Sequence, residues 1–169
     1  MTGRERFTPD EWRTLIGTPG AVMFAVVVTS YGGIRRELKT IRRTLRTADD
    51  FPAQTELVTH VAGFVATNAR RLARDAAAKD LHREVTRARA NDSCRASMSI
   101  LRSKATPAER DEYGRFVLYC AGRTAFAGRE SGIPGVGPRL SSAERRFLES
   151  VETTLEVDSS SDRTFRGRW

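Results

Sequence analysis

Residues 132 to 144 carry the residue types that most readily bind phosphate. They read Gly-Ile-Pro-Gly-Val-Gly-Pro-Arg-Leu-Ser-Ser-Ala-Glu, with three glycines among the first six. Glycine adopts backbone conformations closed to other residues and lets a ligand approach the main chain. Ser141 and Glu144 have the spacing of a capping box, which predicts a helix whose first N–H groups could hold an anion. The segment is therefore a candidate phosphate site, and the alternative is a loop followed by a helix cap.

The residues of this loop exclude two nucleotide-binding motifs. Gly132 and Gly137 have the separation of a Walker loop, but Pro138 and Arg139 stand where that motif needs Lys followed by Ser or Thr. A dinucleotide fingerprint needs a third glycine after Gly-Val-Gly and a strand before it, and this chain has neither. A small-ligand pocket roofed by loop 132–137 stays open as an alternative.

The loop also resembles the hairpin of helix-hairpin-helix modules, which bind DNA backbones without sequence preference. The residues that carry the resemblance are Ile-Pro-Gly-Val-Gly-Pro-Arg at 133–139. It implies that the main-chain N–H groups of Gly135 and Gly137 point at phosphates and that Arg139 adds a flanking cation. The chain departs from the family downstream. Glu144 is charged where the module has an aliphatic residue, and the capping box starts the helix at Ser141, three residues too late.

A second resemblance covers more of the chain. Its segments are Phe-Thr-Pro-Asp-Glu-Trp at 7–12, Tyr-Gly-Gly at 31–33, Lys-Ala-Thr-Pro-Ala-Glu at 104–109 and Leu-Ser-Ser-Ala-Glu at 140–144. Together they look like a family of uncharacterised bacterial helical proteins of about this length, which implies an all-helical fold and no particular activity. More distantly, the glycine turn and Ser-x-x-Glu are similar to tellurite-resistance B-like helical domains. The acidic, metal-binding positions of those domains are not matched here.

The net charge of +8 is concentrated on one short segment. Residues 34–48 hold six basic residues and one acidic residue. A helix over this segment would turn its apolar stripe to the core and cover the opposite side with Arg35, Arg36, Lys39, Arg42, Arg43 and Arg46. Like charges so close together repel unless an anion is bound, and arginine forks suit phosphate oxygens. We therefore predict a polyanion-binding surface, with a nucleic-acid backbone as the partner.

Two alternatives to this surface remain. The cations could pair with acidic residues of another helix or of a second copy, in a helical scaffold that self-associates. They could also reflect composition, because all but three of the 29 basic residues are arginine.

Enzyme chemistry has little support in the sequence. His60 and His82 lack the spacing that places two metal ligands on one helical face. Cys94 and Cys120 predict two reduced thiols rather than a disulfide, with Arg95 beside Cys94 hinting at a lowered pKa. We predict no catalytic residue, no metal and no cofactor, and a binding protein rather than an enzyme.

Helical periodicity positions these candidates. Three boxes, starting at Thr8, Thr106 and Ser141, predict helix starts. Residues 21–29 are apolar on every side and predict a central buried helix, with a short strand as the alternative. Asn91-Asp92-Ser93 indicates a break or kink in its helix. We predict one all-α domain of six to seven helices over residues 1–157 and a disordered tail over 158–169.

The location of the protein is predicted from its apolar runs. The longest, at residues 21–28, is far too short for a membrane span. Asp10 and Glu11 lie upstream of it, which argues against a signal peptide. We predict a cytoplasmic protein.

Overall fold

The computed structural model describes residues 3–29, 34–77, 82–127 and 140–157. These residues form seven α-helices and two short 3₁₀ turns, joined by short loops. The helices are α1 (Pro9–Thr29), α2 (Ile34–Arg46), α3 (Glu56–Thr67), α4 (Ala69–Ala77), α5 (Arg83–Lys104), α6 (Pro107–Ala127) and α7 (Ser142–Thr154). No strand occurs in these ranges, so the prediction of an all-α bundle of six to seven helices is confirmed. The predicted tail at 158–169 lies outside the described residues.

Helix α1 lies at the centre of the bundle and contacts each of the other six helices. Six consecutive residues from Val22 to Val27 are at most 6% exposed. A helix that is apolar on every side can hide its surface only when other helices surround it. The predicted central helix is confirmed, and the strand alternative is wrong.

The three predicted helix starts are confirmed as reciprocal caps. The Thr8 N–H donates to Glu11 at 2.7 Å, and the Glu11 N–H donates back to the Thr8 hydroxyl at 3.2 Å. The same exchange joins Thr106 to Glu109 and Ser141 to Glu144. Each box satisfies N–H groups that have no partner within the helix.

Helix α5 runs without interruption through residues 91–93, so the predicted break is wrong. Asp92 and Ser93 form hydrogen bonds within the helix instead of disrupting it, and the Asn91 amide donates to the Ser150 hydroxyl of α7 at 3.2 Å. The Ser93 hydroxyl donates to the Arg89 carbonyl at 2.9 Å, and Asp92 accepts from Arg95 at 2.6 Å.

The actual interruption lies at Asn68, between α3 and α4. Its side-chain amide donates to the Phe64 carbonyl, and its own carbonyl accepts from the Leu72 N–H, both at 3.0 Å. Asn68 thus ends one helix and begins the next. The junction sets the direction of α4 and of the arginines that it carries.

Candidate functional site

Four of the six cations predicted on α2 have described side chains, and they lie on its solvent side. Lys39, Arg43 and Arg46 are exposed and Arg42 is half-buried. On the other side of the helix, Ile41 and Leu45 are fully buried, as the stripe predicted. Arg35 and Arg36 belong to α2, but their side chains lie outside the described part of the chain.

Helix α4 adds three cations that the sequence analysis missed. It is the element against which α2 packs most extensively. Arg70, Arg71 and Arg74 are exposed, while Leu72 and Ala73 are buried. We call the described cations of these two helices the basic surface: Lys39, Arg42, Arg43, Arg46, Arg70, Arg71 and Arg74.

A segment-by-segment charge count hid the contribution of α4. Residues 49–79 sum to zero because four acidic residues, of which only Asp75 lies on α4, cancel the three arginines and Lys79. Only the fold shows that the three arginines share one exposed side of α4, because it buries Leu72 on the opposite side of the helix. The available signal was the Arg70-Arg71-x-x-Arg74 spacing, which places three cations on one side of a helix.

The basic surface takes no part in the ion pairs formed among the described residues. Those pairs are Arg13–Asp10, Arg95–Asp92, Arg102–Glu156, Lys104–Glu11, Arg115–Asp111 and Arg123–Asp50. All six use cations of α1, α5 and α6. Within the described ranges, the carboxylates therefore neutralise other parts of the bundle and leave the cations of α2 and α4 available.

The candidates in the glycine loop fall in a different part of the chain. Gly135, Gly137 and Arg139 lie outside the described residues, and so does the proposed pocket roof at 132–137. The described chain resumes at Leu140, which is buried, and α7 follows its cap at Ser141. The late helix start that separates this chain from helix-hairpin-helix modules is confirmed.

Both thiols are buried in the core. Burial raises the pKa of Cys94 and of Cys120 to about 12. The charge of Arg95 acts in the opposite direction on Cys94 but is the smaller effect. The hint of a lowered pKa at Cys94 is therefore wrong, because the thiol sits inside the bundle while Arg95 is exposed.

Three buried carboxylates serve the fold rather than chemistry. Glu112 of α6 accepts from the N–H groups of Gln54 at 2.5 Å and Thr55 at 2.9 Å, and so anchors the start of α3. Glu109 and Glu144 close their own capping boxes. Among the described residues, no group of three or more His, Cys, Asp or Glu side chains could hold a metal ion.

Within the described ranges, no helix is both long and apolar enough to cross a membrane. The chain matches no protein-family model, no curated protein and no solved structure. The two family resemblances and the helix-hairpin-helix resemblance therefore stay predictions, and the basic surface is the feature on which a function can be argued.

Proposed function

We propose that the protein binds the phosphate backbone of nucleic acid, without sequence preference, through the basic surface. The observation that carries the proposal is the absence of these seven cations from every ion pair formed among the described residues. Like charges on one helix face are destabilising, and a bound polyanion would relieve that repulsion. Arginine also donates paired hydrogen bonds to phosphate oxygens.

The arrangement suits a long partner better than a single anion. The cations are spread over two adjacent helices, and α2 alone carries Lys39, Arg43 and Arg46 over two turns. Phosphates repeat along a nucleic acid, so several of them can be contacted at once. Contacts of this kind give affinity and orientation but carry no sequence information.

A self-associating helical scaffold has less support. In the described part of the chain, Val85 is the one large apolar side chain that is exposed, at 38%. Stable homodimers bury apolar area, and two identical basic surfaces repel each other. The described surface therefore offers a second copy little to bind.

The test compares two double variants that remove the same charge from different helices. Arg43→Gln with Arg46→Gln lowers the net charge from +8 to +6 on the basic surface. Arg145→Gln with Arg146→Gln does the same on α7, which packs on α1, α5 and α6. All four arginines are exposed, so both variants should fold. Binding to a short labelled DNA duplex and to its RNA counterpart is measured by fluorescence anisotropy.

We expect the α2 variant to bind more weakly and the α7 variant to bind like the parent. Each lost phosphate contact lowers the affinity about eightfold at about 0.1 M salt, so the loss of two contacts lowers it about sixtyfold. Equal losses in both variants would mean that only net charge matters, and no binding of either duplex by the parent would overturn the proposal. Binding to phosphatidylserine vesicles but to neither duplex would assign the surface to a membrane instead.

A further inference from the structure

A cleft of about 220 Å³ lies between α1, α4 and α5. Gly17 and Ala21 form part of its α1 side, and their small size leaves space between α1 and the other two helices. A Cβ atom built on Gly17 would meet no heavy atom within 4 Å. The space above Gly17 is therefore open rather than filled by a neighbouring side chain.

The inner wall of the cleft is apolar. Ile16 and Phe24 of α1 and Leu72 of α4 line it, and each is at most 6% exposed. A protein cavity of about 150 Å³ is large enough to hold benzene. The cleft therefore has room for one aromatic ring with a small substituent.

Arginines from all three helices line the same cleft. They are Arg13, Arg71 and Arg89, and among the described residues of the lining Asp75 is the one carboxylate. Arg13 pairs with Asp10 at 2.6 Å, whereas Arg89 forms no ion pair within the described ranges. Within the described part of the lining, Arg71 and Arg89 then face Asp75 alone, which leaves an excess of one positive charge there.

The position of Arg71 suits a ligand that carries a carboxylate. Its guanidinium carbon lies 5.7 Å from the centre of the Phe64 ring, a cation–π contact that restricts the side chain. A guanidinium restricted in this way loses less freedom when it binds a carboxylate. Its fork also matches the two oxygens of that group.

We infer that this cleft is a binding site for a compact aromatic carboxylate. The ring lies over Gly17 against the apolar wall, and the carboxylate meets Arg71 and Arg89. One negative charge balances the excess of the lining, and a rigid ring costs little conformational entropy on binding. The site shares Arg71 with the basic surface, but it goes beyond the proposed function and does not rest on it, because Gly17, Arg89 and the apolar wall lie outside that surface.

The test uses phenylacetate, its neutral amide phenylacetamide, and inorganic phosphate as probes, with binding followed by ¹⁵N–¹H NMR titration of the full chain. Gly17→Leu fills the cleft, and Gly63→Leu is its control, since Gly63 of α3 also has no heavy atom within 4 Å of a built Cβ. Arg89→Gln removes the free charge, and Arg145→Gln on α7 is the matched control. Thermal unfolding of each variant checks that it is folded.

We expect phenylacetate to shift the amides of Gly17 and Ala90 and to bind at least about tenfold more tightly than phenylacetamide, as for a hydrogen bond to a charged group. Gly17→Leu should abolish the shifts. Arg89→Gln should weaken the binding of phenylacetate about tenfold, the same loss as for phenylacetamide. Both control variants should bind phenylacetate like the parent. Equal affinity for phenylacetamide, equal shifts with phosphate, unchanged binding in Gly17→Leu, or no shift with millimolar phenylacetate would each overturn the inference. None of these results depends on whether the basic surface binds nucleic acid.

Discussion

The hydroxyl of Tyr113 donates to the backbone carbonyl of Leu15 at 2.8 Å. This is the carbonyl that loses its helical partner because Pro19, four residues later in α1, has no N–H. The same hydroxyl lies 3.2 Å from the hydroxyl of Ser97, which shares a hydrogen bond with Thr18 at 2.9 Å. A tyrosine of α6 thus compensates for the gap that a proline makes in the central helix.

Tyr113→Phe should lower the free energy of unfolding by about 1–3 kcal/mol, because it leaves a buried carbonyl without a donor. Burial raises the pKa of Tyr113, so the hydroxyl keeps its proton over the ordinary pH range. In a Pro19→Ala background the restored N–H can serve Leu15, and the cost of Tyr113→Phe should fall. Urea denaturation of the four proteins measures this coupling, and an equal cost in both backgrounds would contradict it.

Two helical glycines should respond in opposite ways to the same substitution. Gly63→Ala should raise the free energy of unfolding by about 1 kcal/mol, because alanine favours the helix and its Cβ meets nothing within 4 Å. Gly114→Ala should lower it, because its Cβ would lie 2.5 Å from Val157 Cγ2 and 3.3 Å from the Leu155 carbonyl oxygen. Thermal unfolding of the two variants distinguishes these outcomes. If both substitutions change the unfolding temperature in the same direction, the contacts of a Cβ at Gly114 do not decide its stability, which would contradict the prediction.

Neither cysteine should react with a thiol reagent while the protein is folded. The thiolate is the reactive form, and burial holds the pKa of both thiols at about 12. Modification by a disulfide reagent at pH 8 should be slow in buffer and complete for both residues in urea. A Cys120→Ser variant identifies the source of any reaction in the folded state. Fast labelling of Cys94 in that variant would contradict its burial.

The Glu11–Lys104 ion pair should make stability depend on pH in the acid range. Lys104 Nζ donates to Glu11 at 2.5 Å, and this bond together with the Thr8 N–H lowers the pKa of Glu11 from its ordinary 4.5. A lowered pKa in the folded state stabilises it above pH 4.5, and the effect is lost as the pH falls through the folded-state value. The stability difference between the parent and Glu11→Gln should therefore shrink below pH 4.5. In a Lys104→Gln background this pH dependence should be smaller, and a difference that is constant with pH would contradict the ion pair.

Most of the fold could be predicted because its signals are local. The reciprocal bonds of Thr8 with Glu11 and of Ser141 with Glu144 are set by residues three apart, and the apolar stripe of α6 is read from its spacing. The end of α3 at Asn68 and the continuity of α5 through Ser93 could not be predicted. Both depend on which of several available hydrogen bonds a polar side chain makes.

The candidate sites were only partly predictable, since they join residues that are distant in the chain. The exposed cations of α2 follow from one amphipathic segment. Adding Arg70 and Arg74 required knowing that α4 packs on α2, and the cleft required knowing that Gly17 faces α4 and α5. No spacing within the sequence encodes those neighbours.

The salt dependence of duplex binding tests the central claim most directly. For DNA, the logarithm of the binding constant falls with the logarithm of the salt concentration, with a slope of about −0.9 for each phosphate contact. Arg43→Gln with Arg46→Gln should flatten that slope by about 1.8 relative to the parent, because two contacts are lost. Arg145→Gln with Arg146→Gln should leave it unchanged. Parallel lines for all three proteins would show that the cations of α2 do not contact phosphate and would contradict the proposed function.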